Sequence, residues 1–390
     1  MFYDVIVVGA GPSGSHLAAN LARRGYGVLV IEKKPAAGID ICCTGIVSRK
    51  CLKLLEVPQS LVIRPVSEVR VVAPSGKSFQ LQRHDSEVFV IDRPTLDRLL
   101  ADRARSAGAS YMFSTYVTEV QAEADSVAVQ SESQDDVRVH RAQLVVLACG
   151  FGSSLPARLG LGRIDDFIIG AQAEVEVNGG EMEIYLDAGL APGSFAWLVP
   201  TSRGKGLAGL MTRYQPRQRL KGLLHWLEAQ GKIVSAECRQ GYGAIPLRPL
   251  TTTFASRVLV VGEAAGQVKP LTGGGIYYGA LCADLAAEVI DMALARGDFA
   301  EQALACYQQM WRHQLGKELR FGYLLYRLYQ RMSNREIEWA HSLAARCGIA
   351  DFVRRAEPAY FDYHSRAASG MMKYFTCSLL SGRFARGHQG

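Results

Sequence analysis

The stretch Gly9-Ala10-Gly11-Pro12-Ser13-Gly14 constrains this chain more than any other part of its 390 residues. It interrupts Asp4-Val5-Ile6-Val7-Val8, a short apolar run of the kind that forms a buried parallel strand. Ser15 to Arg24 then reads as a helix closed by Gly25, and Val28-Leu29-Val30-Ile31 as a second strand. The whole is one βαβ unit. Gly9 permits a tight turn, Gly11 lets backbone approach a pyrophosphate, and Gly14 lets helix and strand pack closely. The phosphates, beside Pro12 and Ser13, then meet the helix N-terminus. Glu32 closes the second strand, where a carboxylate accepts ribose hydroxyls, and its charge argues against a 2′-phosphate there. An ordinary glycine turn would not require strand, glycines, helix, second strand and acid to fall in register.

Further along, residues 66 to 91 read as short strands around a turn at Pro74-Ser75-Gly76. Pro94 to Ala107 reads as a helix ended by Gly108, and 111 to 147 as an antiparallel meander ending in Leu144-Val145-Val146-Leu147. Strands and turns dominate from about 166 to 245, with a helix near 216 to 230. Val258-Leu259-Val260-Val261 is one more buried strand, followed by a glycine-rich turn and a helix to about Ala295; everything beyond 300 reads helical. These patterns predict an α/β fold with an inserted α+β lobe. A Rossmann-type nucleotide-binding domain comprises residues 1–65, 92–165 and 246–300. An interleaved antiparallel-sheet substrate lobe comprises 66–91 and 166–245, and a helical C-terminal cap covers 301–390.

At 48% hydrophobic and 21% charged residues the composition is that of a globular protein, not a disordered or fibrous one. A net charge of +7 over this length is mild and does not point to nucleic acid as a partner. Nine cysteines without CxxC or Cys/His ligand spacing suit a reducing, cytoplasmic compartment and no metal. The longest stretch free of Asp, Glu, Lys and Arg, Val5 to Ala22, is too rich in Gly, Pro and Ser for a membrane span, and no signal peptide is expected. The expectation is a protein that is soluble or lies on the inner face of a membrane.

A second glycine pattern favours FAD over NAD. Gly262-Glu263-Ala264-Ala265-Gly266 follows the 258–261 strand, and Pro270-Leu271-Thr272-Gly273-Gly274-Gly275-Ile276 opens a helix. An acid at the strand end can bond a ribityl chain. Amides of Gly274, Gly275 and Ile276 at a helix start can stabilise a negative reduced isoalloxazine.

Together with these, the chain resembles the FAD-dependent oxidoreductases of the p-hydroxybenzoate hydroxylase fold, and within them the geranylgeranyl reductase family. Arg93-Pro94-Thr95-Leu96-Asp97 is similar to the helix start whose arginine contacts FAD, and Ala148-Cys149-Gly150-Phe151-Gly152-Ser153 to the family's ADGxxS. Phe195-Ala196-Trp197-Leu198-Val199-Pro200 is similar to the reductases' YxWxFP strand, and Ile41-Cys42-Cys43-Thr44-Gly45-Ile46 to their cysteine loop beside the isoalloxazine. The resemblance implies non-covalent FAD held by the two glycine motifs, Glu32, Lys33, Gly45, Arg93, Val117 and Gly150. It also implies a long prenyl chain against Phe195, Trp197 and Pro200, and NADPH or ferredoxin as electron donor.

Saturating an isolated alkene needs hydride on one carbon and a proton on the other. A thiol of pKa ~8.5 can supply that proton. Cys43 is the candidate, because the Thr-Gly-Ile-Val-Ser tail sets the register over Cys42; a buried thiol is also commonly just a small hydrophobe. Four positions depart from the related hydroxylases or reductases: Cys149 for Asp, Pro156 for Arg, Glu263 for Asp and Phe195 for Tyr. The first two argue against a hydroxylase's use of NADPH. An aromatic hydroxylase or halogenase of the same fold, and a flavoprotein that modifies a partner polypeptide, are the alternatives. From Trp311 to Arg335 basic residues and Tyr323, Tyr326 and Tyr329 are interleaved. This suits either a helix packed on the core with a solvated basic edge or a surface meeting anionic lipid. His16 and His313 carry no motif.

Overall fold

The computed structural model describes residues 2–83, 85–134, 136–355 and 361–380, with side chains to residue 374. Five parallel strands form the spine of an eight-stranded sheet, in the order Val258–Val260, Asp136–Leu147, Phe2–Val8, Val28–Ile31, Ser110–Met112. Both faces are covered around residues 5–8, 28–31, 144–147 and 258–260, which is why these stretches are apolar rather than alternating. Val5 and Val7 face Leu17, Leu21, Ala283 and Ile290 on one side. Ile6 and Val8 face Val117, Val129 and Leu155 on the other. The N-terminal half of Asp136–Leu147 carries the antiparallel hairpin Tyr116–Ala122 and Val127–Ser133.

Parallel alignment brings the strand ends Val8, Ile31, Leu147 and Val260 to one edge, where ligands of open α/β sheets bind. The first helix spans Pro12–Arg23, not Ser15 onward: Pro12 occupies the first turn, where its fixed φ and missing N–H cost nothing, and Gly11 is the N-cap.

The inserted lobe is a seven-stranded sheet in the order Gln240–Pro246, Phe167–Glu176, Lys205–Thr212, Ala196–Pro200, Met182–Tyr185, Glu68–Val72, Ser78–Gln82. It is antiparallel apart from one parallel pairing, Met182–Tyr185 with Glu68–Val72, which departs from the expected all-antiparallel sheet. Leu220, Leu223, Leu224 and Leu227 of the Pro216–Ala229 helix pack on one face. The strand Val88–Ile91, read from sequence as part of this lobe, instead joins Ile46–Ser48 and Val62–Val66 in a separate three-stranded sheet.

Helices Glu301–Tyr329, Asn334–Arg346, Ile349–Arg355 and His364–Leu380 follow; residues 381–390 of the expected cap lie outside the described residues. The aromatics of the first of these turn inward. Trp311 is buried and donates to Thr253 Oγ1 at 3.0 Å, and Tyr326 is buried against Met211 and Leu247. Leu324 and Leu328, not the tyrosines, are the exposed apolar residues of this helix.

Candidate active site

The first glycine loop is shaped by close approach. Gly9 has φ +108°, and a Cβ there would overlap the Ala148 carbonyl oxygen. A Cβ on Gly14 would overlap the Gly9 carbonyl oxygen, whereas one on Gly11 would meet nothing within 4 Å. The helix therefore presses against the strand end at Gly14 and is open toward the cleft at Gly11, with no side chain capping its first N–H groups. Glu32 is locked beside the loop: its Oε2 accepts the Ala10 N–H at 2.7 Å and its Oε1 the Lys34 N–H at 2.9 Å. Thr115 donates its N–H to the Glu32 carbonyl at 3.0 Å, which brings the buried Val117 to the same end. Lys33 is exposed, and Gly150 adopts φ +71° just beyond the Leu147 strand end.

The second loop meets the first through Ser13. Its hydroxyl lies where a Cβ on Gly262 or Gly279 would be, so two motifs far apart in sequence share one contact. Glu263 follows, exposed toward the cleft but enclosed by protein on its other sides. Burial pushes its carboxyl up and the Arg93 guanidinium opposes that. The Ile276–Arg296 helix starts immediately after Gly275, and a Cβ on Gly275 would sit 3.3 Å from Glu263 Oε1.

Arg93 occupies the first turn of the Arg93–Ser106 helix, whose N-cap Asp92 accepts the Thr95 N–H at 3.1 Å. Its Nη2 donates to Asp97 at 2.8 and 3.1 Å, one helical turn on. Its Nη1 points to Cys43 Sγ at 3.7 Å, and its Nε has no partner although the residue is only 8% exposed. A buried guanidinium N–H without an acceptor, beside a carboxylate and two glycine-lined helix starts, fits a dinucleotide cofactor whose oxygens reach it.

The two cysteines diverge. Cys43 Sγ accepts the Gly45 N–H at 3.4 Å and faces Arg93. Cys42 turns to the other sheet, its Sγ 3.9 Å from the Gly170 carbonyl, where Gly241 and Gly243 make room for it. Burial pushes the Cys42 thiol up to about 11. Gly45, at φ +71°, hands its carbonyl to the Ile91 N–H at 2.9 Å and ties this loop to Arg93.

The inserted sheet supplies an apolar wall. Phe195 and Trp197 lie with ring centroids 5.9 Å apart, packed with Met211, Ile245, Leu271 and Tyr326. Gly209 leaves the space that the indole fills. Gly273, in the turn before the helix, abuts Ile245 and Met211, so wall and cofactor turn touch. Pro200 does not join them. Side chains alternate along a strand, and Ala196, Leu198 and Pro200 face away from Phe195, Trp197 and Val199; Ala196 and Leu198 pack under the Pro216–Ala229 helix. The reading of this strand as one continuous wall is corrected accordingly.

Sequence reasoning missed Lys269. It is buried, donates to Asp362 at 2.7 Å and to the Phe361 carbonyl at 3.1 Å, while its own backbone holds Gly273 and Gly274 in the turn. Its partner lies 93 positions away; the available signal was the one basic residue inside a glycine-rich run.

Comparison with known proteins agrees with this layout. Residues 4–347 match the family model described as lycopene cyclase protein. A digeranylgeranylglycerophospholipid reductase 2 of Methanopyrus kandleri is 30% identical over 372 residues, covering 91% of this chain and 92% of that protein. Its namesake in Methanothermobacter thermautotrophicus is 33% identical over 334 residues, covering 82% and 86%. Among solved structures, a geranylgeranyl bacteriochlorophyll reductase-like protein from Thermoplasma acidophilum superposes with a TM-score of 0.81 at 22% identity, covering 96% of this chain and 99% of that one.

Proposed function

This chain belongs to the geranylgeranyl reductase family of FAD-dependent oxidoreductases, and from that premise we propose that it saturates carbon–carbon double bonds of a geranylgeranyl-type chain on a lipid, pigment or quinone. The observation that supports the reading is the convergence of Cys43, Arg93 and Glu263, joined to the Phe195–Trp197 wall through the turn at Gly273 to Gly275. Bound FAD, once reduced, supplies hydride. The first glycine loop and Glu32 hold its nucleotide end. Gly274, Gly275 and Ile276, at the uncapped helix start, would offer N–H groups to the cofactor, and Arg93 its unpartnered Nε. The wall excludes water and orients the chain; burying each methylene contributes about 0.8 kcal/mol, so a few isoprene units suffice as an anchor. Cys43 delivers the proton to the second carbon, and the sulfur left behind faces the Gly45 and Arg93 N–H groups.

The test uses chemically reduced enzyme with prenyl lipids of increasing length, which separates the prenyl chemistry from the identity of the donor, NADPH or ferredoxin. The expected product gains one hydrogen pair per saturated bond. The lycopene cyclase match favours one rival, acid-initiated ring closure, whose product is an isomer of unchanged mass. An isomer, or turnover of short aromatics alone, overturns the reductase reading. The purified protein is expected to be yellow, and denaturation to release all of its FAD; flavin remaining on the denatured chain contradicts non-covalent binding.

No helix among the described residues is long and apolar enough to cross a membrane. Peripheral contact with anionic lipid is supported by one face of Glu301–Tyr329 and the turn after it, where His313, Lys317, Arg320, Leu324, Leu328 and Arg331 are all exposed. The next helix repeats the pattern with Arg335, Trp339, Leu343 and Arg346. Exposed apolar residues flanked by arginines suit an interfacial helix. Cosedimentation with anionic vesicles is expected, to be weakened by salt and to fall at least about tenfold in Leu324→Glu/Leu328→Glu, since each cation at such a surface is worth about 1 kcal/mol and burial of two leucines more. Equal sedimentation of variant and parent removes this face from the account.

A further inference from the structure

A lysine is almost never buried without a counter-charge, and Lys269, in the turn between Gly266 and Gly273, is only 4% exposed. Its Nζ donates to Asp362 Oδ1 at 2.7 Å and to the Phe361 carbonyl at 3.1 Å, and lies 4.4 Å from the Phe361 ring centroid. Asp362 is 1% exposed, and its Oδ2 is buried without a partner. His364 adds no second cation near neutral pH, because burial and then the Lys269 charge push it down to about 4. One positive and one negative charge are thus both removed from water.

Both stand against the cofactor turn. The Lys269 carbonyl accepts the Gly273 N–H at 2.9 Å, and its own N–H donates to the Gly274 carbonyl at 3.1 Å. The side-chain stem runs alongside, so that a Cβ on Gly274 would stand 3.5 Å from Lys269 Cδ. Behind the turn, Pro270 rests on the Glu301–Tyr329 helix, where a Cβ on Gly322 would come within 3.1 Å of its Cδ. The segment carrying Asp362 is fixed independently of the lysine. Tyr278 Oη donates to the Asp362 carbonyl at 2.7 Å, the Tyr277 and Tyr363 hydroxyls lie 3.2 Å apart, and the Ser365 N–H donates to Glu318 Oε2 at 2.8 Å. Packing alone does not call for charges here, since a buried ion pair is often no more stable than apolar side chains of the same volume. What the pair adds is an electric field at the turn where a negative reduced isoalloxazine is expected. A lone buried cation there would favour the reduced ring, and a carboxylate beside it offsets that.

Resting on the prenyl-reductase reading and its FAD, we propose that Lys269 and Asp362 are a positioning pair for the flavin. Lys269 holds the turn, and Asp362, from the C-terminal segment, cancels the charge that would otherwise stabilise the reduced ring and weaken it as a hydride donor. The C-terminal region is then part of the cofactor site and not only a cap beside it.

The experiment is the midpoint potential of the flavin in the FAD-loaded protein, read spectroscopically against a reference dye. It reports the ratio of affinities for reduced and oxidised FAD, tenfold being about 30 mV for a two-electron couple. Asp362→Asn uncovers the lysine and is expected to raise that ratio about tenfold, the scale of one unit charge inside a protein, and to slow reoxidation by a prenyl substrate. Lys269→Met uncovers the carboxylate and is expected to lower the ratio by a similar factor. The double variant, with neither charge, is expected to return to within about threefold of the parent. A pair that only braced the turn would move all three variants the same way, because a loosened turn offers its N–H groups to the ring less well. Shifts of one sign in the two single variants, or no shift in Asp362→Asn, overturn the pair. Where Lys269→Met does not fold, Asp362→Asn and the double variant decide. Saturation of prenyl lipids by the parent is assayed alongside. Opposite shifts without any saturation overturn the reductase reading alone, and saturation with shifts of one sign overturns the pair alone.

Discussion

Cys43→Ser is expected to keep its FAD and lose about 10- to 1,000-fold in prenyl saturation, the scale of a positioned proton donor partly replaced by solvent. The side chains are nearly the same size, so the Gly45 N–H contact survives, but the hydroxyl is a far weaker acid. Cys42→Ser is the control. Its sulfur rests on the Gly170, Gly241 and Gly243 backbone rather than against Arg93, and burial holds its proton more firmly. Single-turnover reoxidation of the reduced flavin by a prenyl substrate measures both. If Cys43→Ser reoxidises as fast as the parent, the proton comes from elsewhere.

Gly14→Ala should abolish FAD retention outright. The added methyl overlaps the Gly9 carbonyl oxygen and comes within 3.1 Å of Ala148 Cβ, so the helix must back away from the strand end. That motion also pulls Ser13 from Gly262 and Gly279, opening the second loop together with the first. Overpacking of this kind costs about 1–3 kcal/mol. The melting temperature should therefore fall, and the flavin content of the purified protein drop to near zero. Gly11→Ala separates shape from binding: its methyl meets no protein atom, so stability is unchanged, while it stands where backbone would approach the pyrophosphate. A Gly14→Ala protein that purifies yellow with its melting temperature intact would show that the close contact at Gly9 is dispensable.

What could be read from sequence follows the range of the interactions. Gly9 to Gly14 and Glu32 were legible because their roles are local: a turn, a helix start, and an acid at the end of the adjacent strand. Arg93 was legible by resemblance, yet the Asp97 that holds it lies one turn along the same helix and could have been inferred from the i,i+4 spacing. The strand at 195–200 was misread as one wall because alternation acquires a direction only once the partner sheet is known. Trp311 and Tyr326 look identical in sequence to the outward-facing residues of a basic helix, and only the packing partners Thr253 and Met211 decide their side. Lys269–Asp362 joins segments separated by 93 positions, beyond the reach of any local pattern.

The order of strands in the large sheet also sets a clock. Asp136–Leu147 is flanked by Phe2–Val8 on one side, but its other neighbour is Val258–Val260, with Gly262 and Glu263 directly behind it. A ribosome adding about 5–20 residues per second needs roughly ten seconds or more between delivering Gly14 and delivering Gly262. From the delivery of Leu147 until Val258–Val260 emerges, Val145, Val146 and Leu147 expose an unpaired edge, and the sheet lacks the Ile276–Arg296 helix that covers one face. The nucleotide loop is thus born early but cannot close on a cofactor until the last third of the chain emerges. The strand that closes the edge and the loop that completes the second glycine motif thus arrive together, so a chain cut short before Val258 keeps one sticky edge and half a cofactor site.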